Sequence, residues 1–80
     1  MSATSVESRE RIDVDRASRD ALLALPGIGP TLADRIVADR VLHGPFGCLN
    51  ALQSVKGVGT ALLHRLDTLV TFSGQPRPDC

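Results

Sequence analysis

The 80-residue chain has little of what catalysis, metal binding or base stacking requires. Aromatic residues make up only 2% of the sequence, and tryptophan and tyrosine are absent. This scarcity excludes a stacking platform for single-stranded nucleic acid or RNA. The two cysteines and two histidines lack the close, paired spacing of a zinc site. Spacing brings together no Ser/His/Asp set and no carboxylate pair, so we predict that the chain is not an enzyme.

Excess charge and long apolar runs are also missing. Nine basic residues balance nine acidic ones, so a polyanionic partner has to be held by something other than bulk positive charge. No apolar run approaches the roughly 20 residues of a membrane span, and we expect no signal peptide after Met1. We therefore expect one small soluble domain, monomeric and without membrane contact of its own.

Segments poor in apolar residues flank a more apolar central part. Residues 1–11 mix serine, glutamate and arginine, which predicts a flexible N-terminal tail. Two prolines and a glycine exclude a helix at residues 73–80, which we interpret as a flexible Pro-rich tail. The domain is expected at residues 12–72, where Ile12 and Val14 can pack a short extended lead-in onto the body.

The central part repeats itself at an offset of 30 residues. Residues 25–30 read LPGIGP and residues 55–60 read VKGVGT, so a Gly-x-Gly with an apolar middle residue occurs twice. The match continues at three further pairs of positions: Leu32 and Leu62, Arg35 and Arg65, Ile36 and Leu66. Two copies are too few for a solenoid, and they indicate two like units around one core.

Each unit reads as a helix, a tight turn and a second helix. Ser18 is a good N-cap, Pro30 favours the first turn of the second helix, and a Gly-Pro pair ends that helix near His43. We expect a third helix over about residues 48–54 and a fourth over about residues 60–70. The predicted fold is all-α without a strand: four main short helices in two pseudo-symmetric hairpins. The predicted core is Leu22, Leu25, Ile28, Leu32, Ile36, Leu52, Val55, Val58, Leu62 and Leu66.

The two glycine turns are the elements that predict a function. Glycine permits backbone angles closed to other residues and leaves the neighbouring N–H groups bare of side chains. The helix that follows directs its unpaired N–H groups and its positive dipole end outward beside the turn. One such turn is more often only a sharp bend, but its duplication favours a pair of phosphate sites, and hence a nucleic-acid backbone as ligand.

With these motifs the sequence resembles the tandem helix-hairpin-helix domains, in particular those of the ComEA-type competence proteins. The resemblance covers about residues 12–70. It is carried by residues 12–15 (IDVD), the two glycine turns and residues 43–46 (HGPF). Proteins of this type are bacterial and bind DNA outside the inner membrane during DNA uptake. The resemblance therefore suggests a periplasmic or membrane-anchored location within a longer chain, although this segment by itself does not determine one.

The resemblance implies sequence-nonspecific binding of double-stranded DNA, with the two hairpins holding phosphates on either side of the minor groove. The near balance of charge predicts that this binding is weak. The candidate phosphate-binding residues are Gly27, Gly29, Thr31, Leu32, Lys56, Gly57, Gly59, Thr60, Ala61, Arg35 and Arg65. Pro30 has no N–H and cannot contribute, whereas Thr60 at the matching position can. The resemblance also implies that turn carbonyls, here those of Leu23, Leu25 and Ile28, can hold a monovalent cation. No other cofactor is expected.

The sequence departs from the family just after each hairpin. Thr31 and Thr60, with the apolar residue that follows each, stand where a lysine or arginine is usual. Between residues 18 and 70 five bases face four acids, which is a poor balance for a binder driven by counterion release. Arg35 and Arg65 either flank the groove or pair with the neighbouring aspartates, Asp34 and Asp67.

Two alternatives to a free-standing DNA-binding module stay open. The domain can be a protein-interaction or scaffold module that keeps the fold without strong DNA binding, as in a secretion system. It can also be the DNA-holding part of a processing enzyme whose chemistry lies elsewhere. His43 and His64 are interpreted as surface residues rather than ligands, and Cys48 as a small buried apolar residue near Phe46.

Overall fold

A computed structural model describes residues 11–80. The described part of the chain is mostly helical, with three α-helices, one 3₁₀ helix and two strands of two residues each. In chain order the elements are β1 (Ile12–Asp13), α1 (Arg19–Leu22), α2 (Pro30–His43), the 3₁₀ helix (Asn50–Ser54), α3 (Thr60–Leu66) and β2 (Val70–Thr71). Of the predicted N-terminal tail, all but residue 11 lies outside the described residues.

Local sequence signals account for the limits of the first two helices. The Ser18 hydroxyl accepts a hydrogen bond from the N–H of Ala21 at 3.1 Å and caps α1 as predicted. Pro30 is the first residue of α2, where its missing N–H costs no helical hydrogen bond. The helix ends at His43, and Gly44 then takes a φ of 83°. The predicted limits of α2 are therefore confirmed.

The second half of the chain is less helical than predicted. The expected third helix is a five-residue 3₁₀ helix, and α3 ends at Leu66 rather than near residue 70. After α3 the N–H of Leu69 donates to the carbonyl of Leu66 at 2.8 Å, which makes a turn. The chain then straightens so that Val70 pairs with Ile12 in a parallel ladder. The expectation of no strand is wrong here, because the backbone of the extended lead-in finds its acceptors in residues 69–71.

The core joins both units to the lead-in and to residues 44–49, the spacer between the units. Eight of the ten predicted core residues are buried, but Leu32 and Leu62 are only half-buried. Ala33 and Leu63, the next residue in each helix, take the inner positions. Buried residues that the repeat did not predict are Val14, Ala33, Phe46, Ala51, Leu63 and Val70.

Two aspartates of the lead-in fix the spacer and the end of the chain. One carboxylate oxygen of Asp15 accepts from the N–H of Phe46 at 2.7 Å, and the other accepts from the N–H of Gly74 at 2.9 Å. Asp13 accepts from the N–H of Ser73 at 3.2 Å. Desolvation raises the pKa of Asp13, but its hydrogen bonds, those from Ser73 foremost, outweigh this and leave that pKa below its ordinary value. The IDVD motif therefore has a structural role in this chain.

Residues 73–80, the C-terminal strap, lie against the domain, contrary to the flexible tail expected from their composition. Cys80 forms a disulfide with Cys48 across a sequence separation of 32 residues. Cys48 is accordingly half of a cross-link, and it is half-buried rather than the small buried apolar residue expected near Phe46. The Asn50 side-chain amide also donates to the carbonyl of Asp79 at 3.0 Å. Proline excludes a helix in this segment, but it does not exclude ordered contacts.

Arg77 anchors the strap to the C-terminal end of α2. Its guanidinium donates to the carbonyls of Gly44 at 2.8 Å and Pro45 at 3.1 Å, and it pairs with Asp39 at 2.8 Å. It also lies over the ring of Phe46, 4.3 Å from the centroid. Both carbonyls follow the last residue of α2, so Arg77 holds the strap to the chain just beyond the end of that helix.

Candidate functional site

The two glycine turns have the same backbone geometry. The first glycine of each has a positive φ, 83° at Gly27 and 102° at Gly57. The second is extended, with φ −97° at Gly29 and −111° at Gly59. Each turn is closed by the N–H of its middle residue, which donates to the carbonyl three residues back at 3.2 Å in the first turn and 3.0 Å in the second. Backbone conformation therefore requires glycine only at the first position of each turn.

The second glycine of each turn faces open space. A Cβ built on Gly29 or on Gly59 would have no atom of a described residue within 4 Å, apart from the glycine itself and its two chain neighbours. Any residue can adopt the backbone angles found at these positions, so the turn itself does not require glycine there. A missing side chain at an open position instead lets a ligand approach the backbone closely.

Unpaired N–H groups surround each open glycine. In the first turn they belong to Gly29, Thr31 and Leu32, which have no acceptor among residues 11–80. The first helical hydrogen bond of α2 runs from the N–H of Ala33 to the carbonyl of Gly29 at 2.9 Å. The second turn offers the corresponding set, with Thr60 supplying the N–H that Pro30 lacks. Its N–H groups without an acceptor among residues 11–80 are those of Gly59, Thr60, Ala61 and Leu62.

Two half-buried leucines bring the turns together. The side chain of Leu62 lies against the first turn, where its Cδ1 is 2.7 Å from the position a Cβ of Gly27 would take. The side chain of Leu32 lies against the second turn, 3.5 Å from the corresponding position on Gly57. The contacts are reciprocal, and they explain why these leucines are not core residues. All other predicted site residues are exposed.

Arg35 and Arg65 each extend to the turn of the other unit. The Nη1 of Arg35 donates to the carbonyl of Lys56 at 3.0 Å and lies 3.3 Å from the Cβ position of Gly57. The Nη1 of Arg65 lies 3.5 Å from the Cβ position of Gly27. This crossing was not predicted, although the matching offset of the two arginines in the repeat was a signal for a shared role.

The aspartates of α2 are occupied by other basic residues. Asp34 forms an ion pair with Arg19 and not with Arg35. The hydrogen bond and the charge of Asp34 raise the pKa of Arg19 above its ordinary value. Asp39 pairs with Arg77 and contacts the exposed His43 at 3.4 Å. The carboxylates of α2 are therefore paired with basic residues other than Arg35, Lys56 and Arg65.

Charge is consequently segregated on a molecule of zero net charge. Of the five basic residues between positions 18 and 70, Arg19 is ion-paired, and Arg40 donates to the carbonyls of Val14 and Ala17. Arg35, Lys56 and Arg65 form no ion pair with any residue of the described range 11–80. All three belong to the surface around the two turns.

The described residues offer little support for other kinds of site. Within positions 11–80 no group of three His, Cys, Asp or Glu side chains could hold a metal ion. His64 is exposed and lines a shallow depression with Leu49 and Asp67. None of the helices described is long and apolar enough to cross a membrane. A monovalent cation on the carbonyls of Leu23, Leu25 and Ile28 stays a prediction.

Comparison with known proteins agrees with this geometry. A family model described as the helix-hairpin-helix motif matches residues 7–71. Endonuclease/exonuclease/phosphatase family domain-containing protein 1 from Xenopus laevis is 32% identical over 68 residues, which are 85% of this chain and 12% of that protein. The protein of the same name from Homo sapiens is 32% identical over 76 residues, 95% of this chain and 13% of that protein.

The chain thus spans about an eighth of the length of these relatives. Because they are vertebrate proteins with no reference to competence in their names, they give no support to a bacterial role in DNA uptake.

Proposed function

The chain belongs to the helix-hairpin-helix family, and on that premise we propose that its two glycine turns bind phosphates of double-stranded DNA without regard to sequence. The helix-hairpin-helix motif is generally associated with nonspecific DNA binding and is not a catalytic module. The proposal extends this association to particular backbone groups of this chain.

The observation that carries the proposal is the pairing of an open glycine with unpaired N–H groups in both turns. Gly29 and Gly59 each leave a surface that a Cβ would fill. An anion approaching either glycine meets backbone N–H donors without displacing a side chain. Phosphate oxygens accept such hydrogen bonds, which fix register on the duplex but carry no base information.

The reciprocal contacts support a tandem arrangement with pseudo-two-fold symmetry. Leu32 packs on Gly57, and Leu62 packs on Gly27, so each unit completes the surface of the other. Two like anion sites held side by side suit a ligand that repeats its phosphates, and the two strands of a duplex present such a pair across the minor groove. A small anion would need only one of them.

The strength of binding follows from the charge at this surface. Three basic side chains without ion pairs within residues 11–80, Arg35, Lys56 and Arg65, can each neutralise about one phosphate. We therefore expect micromolar or weaker affinity and a slope of log affinity against log salt of about −2 to −4. Equal affinity for a mixed-sequence duplex and its scrambled version is also expected.

The names of the relatives suggest where such a module would act. They include an endonuclease/exonuclease/phosphatase family domain, and this chain matches only about an eighth of their length. A role in holding DNA for chemistry carried out elsewhere in a longer chain is consistent with the absence of a catalytic set from the sequence.

The proposal is tested by fluorescence anisotropy with a mixed-sequence duplex at low salt. The test variant carries Gly29→Val and Gly59→Val, which place side chains in front of the N–H groups at positions where valine is sterically permitted. We expect wild-type circular dichroism and a loss of binding of at least about tenfold, since several charge-assisted hydrogen bonds are blocked. Unchanged affinity in the folded variant would contradict the proposal.

A scaffold role is the second candidate, because Val41 and Leu42 near the end of α2 are each 76% exposed. Adjacent exposed apolar side chains favour a protein contact. The two functions are separated by Thr31→Lys with Ala61→Lys, which restores the charge usual in the family beside both turns. If the turns bind phosphate, this double-lysine variant should bind duplex more tightly than wild type, and its slope of log affinity against log salt should be steeper by about two. A folded variant that still does not bind duplex at low salt would favour the scaffold.

A further inference from the structure

We propose that each arginine strengthens the phosphate contact of the opposite unit: Arg35 acts at the second turn (residues 55–60) and Arg65 at the first turn (residues 25–30). The inference rests on the proposed function and deepens it, because it makes each phosphate site a joint product of both units. The backbone N–H groups of a site come from one unit, and its guanidinium comes from the other.

The position of Arg35 supports the first half of the proposal. One N–H of its guanidinium donates to the carbonyl of Lys56 at 3.0 Å, and the same nitrogen lies beside Gly57. A guanidinium has five N–H donors, so this bond leaves four for a phosphate. Because the side chain is exposed and forms no ion pair within residues 11–80, those donors are held beside the second turn without a competing carboxylate.

The position of Arg65 supports the second half. Its Nη1 and Cζ lie 3.5 and 3.9 Å from the Cβ position of Gly27, so the guanidinium lies beside the first glycine of the first turn. No described residue accepts a hydrogen bond from this side chain, so within residues 11–80 only packing orients it. Arg65 is the looser of the two arginines.

Each arginine lies along its helix, away from the glycine turn that precedes that helix. Arg35 and Arg65 each lie six residues after the second glycine of their own unit, Gly29 and Gly59. Six residues correspond to about 9 Å along the axis of an α-helix. The reciprocal packing of the two units places each arginine instead against the neighbouring turn.

The experiment is a set of double-mutant cycles on the full 80-residue chain, with duplex affinity measured by anisotropy at low salt. Arg35→Gln and Arg65→Gln remove each charge, and Gly29→Ala and Gly59→Ala impair each turn mildly at positions with open space. We expect a loss of about five- to tenfold for Arg35→Gln and a smaller one for Arg65→Gln, since one charge-assisted contact is removed. Arg35→Lys should recover part of the loss, because charge remains but the planar fork is gone.

The crossed pairs are expected to couple. In the Gly59→Ala background, Arg35→Gln should reduce duplex affinity by less than half the factor that it does in the wild-type chain. In the Gly29→Ala background it should reduce duplex affinity by the same factor as in the wild-type chain. Arg65→Gln should show the mirror image. Coupling between residues of the same unit, or equal fold-losses in every background, would overturn the crossed assignment while leaving duplex binding itself in place.

Amide spectra of the free protein supply a readout independent of DNA. Arg65→Gln should shift the amide signals of Gly27 and Ile28 more than those of Gly57 and Val58, and Arg35→Gln should do the reverse. If the crossed shifts appear but the wild-type chain binds no duplex, the proposed function is wrong and the arginines lose the phosphate role assigned here. If duplex binds and the shifts stay within each unit, only the crossed assignment is wrong.

Discussion

The two glycine turns share a backbone but are not equally equipped to hold a phosphate. Both have a first glycine at positive φ, an open second glycine and unpaired N–H groups. The second turn adds Lys56, the N–H of Thr60 and a hydrogen-bonded Arg35. The first turn has Pro30 in place of that N–H and only the loosely held Arg65. Backbone geometry sets where an anion can lie, whereas side chains set how strongly it is held, so we expect the second turn to dominate binding.

The largest expected effect separates the two glycines within each turn. Gly27→Ala and Gly57→Ala place a side chain at a positive φ, and a Cβ at Gly27 would also meet Leu62 at 2.7 Å. Each should lower the free energy of unfolding by about 1–3 kcal/mol, measured by urea denaturation. The matched changes Gly29→Ala and Gly59→Ala should cost only about 0.5–1 kcal/mol, because they alter no more than a helix N-cap. Equal costs at all four positions would refute this division of roles.

A second effect compares the turns directly. Gly59→Val alone should weaken duplex binding by about tenfold, since it blocks the site with more donors and more charge. Gly29→Val alone should weaken it by about threefold, because the first turn contributes less. Anisotropy titrations of both variants at the same low salt measure the ratio. A larger loss from Gly29→Val would reverse the ranking of the turns.

Prediction from sequence succeeded where single residues determine the beginning or end of a helix or turn. Ser18, Pro30 and the glycines act through their own backbone or their nearest neighbours, so the cap of α1, the limits of α2 and the positions of both turns followed from the sequence. Periodicity was less decisive, since Leu32 and Ala33 lie four and three residues before Ile36, and both spacings suit a helical face. Only the packing of the opposite turn decides that Ala33 points inward.

Several features that sequence reasoning missed depend on contacts between distant segments. Arg77 and Cys80 hold the C-terminal strap through partners more than thirty residues away, whereas proline content indicates only that the strap is not helical. The same holds for Arg35, whose partner Lys56 is 21 residues distant. Sequence identified both arginines as candidates but left open whether they bind aspartates or flank a groove.

The smallest expected effect concerns a single N–H. Pro30 and Thr60 occupy the same position, the first residue of a helix, where proline is well tolerated. Proline also requires an extended residue before it. Gly59 meets this requirement, with φ −111° and ψ −180°, and its conformation resembles the −97° and −175° of Gly29. Thr60→Pro and Pro30→Thr should therefore leave the fold unchanged and alter only the number of donors.

With the fold unchanged, Thr60→Pro should weaken duplex binding by about threefold, because the second turn loses one hydrogen bond to phosphate. Pro30→Thr should tighten binding by about twofold, because the first turn gains one N–H donor but still has little positive charge beside it. The double exchange should bind slightly less tightly than wild type, as the lost donor lies beside Lys56 and Arg35 and the gained one does not. Thermal unfolding of each variant checks that stability is preserved. If Thr60→Pro binds as well as wild type while remaining folded, the N–H of the first helical residue takes no part in holding the phosphate, and the ranking of the turns rests on charge alone.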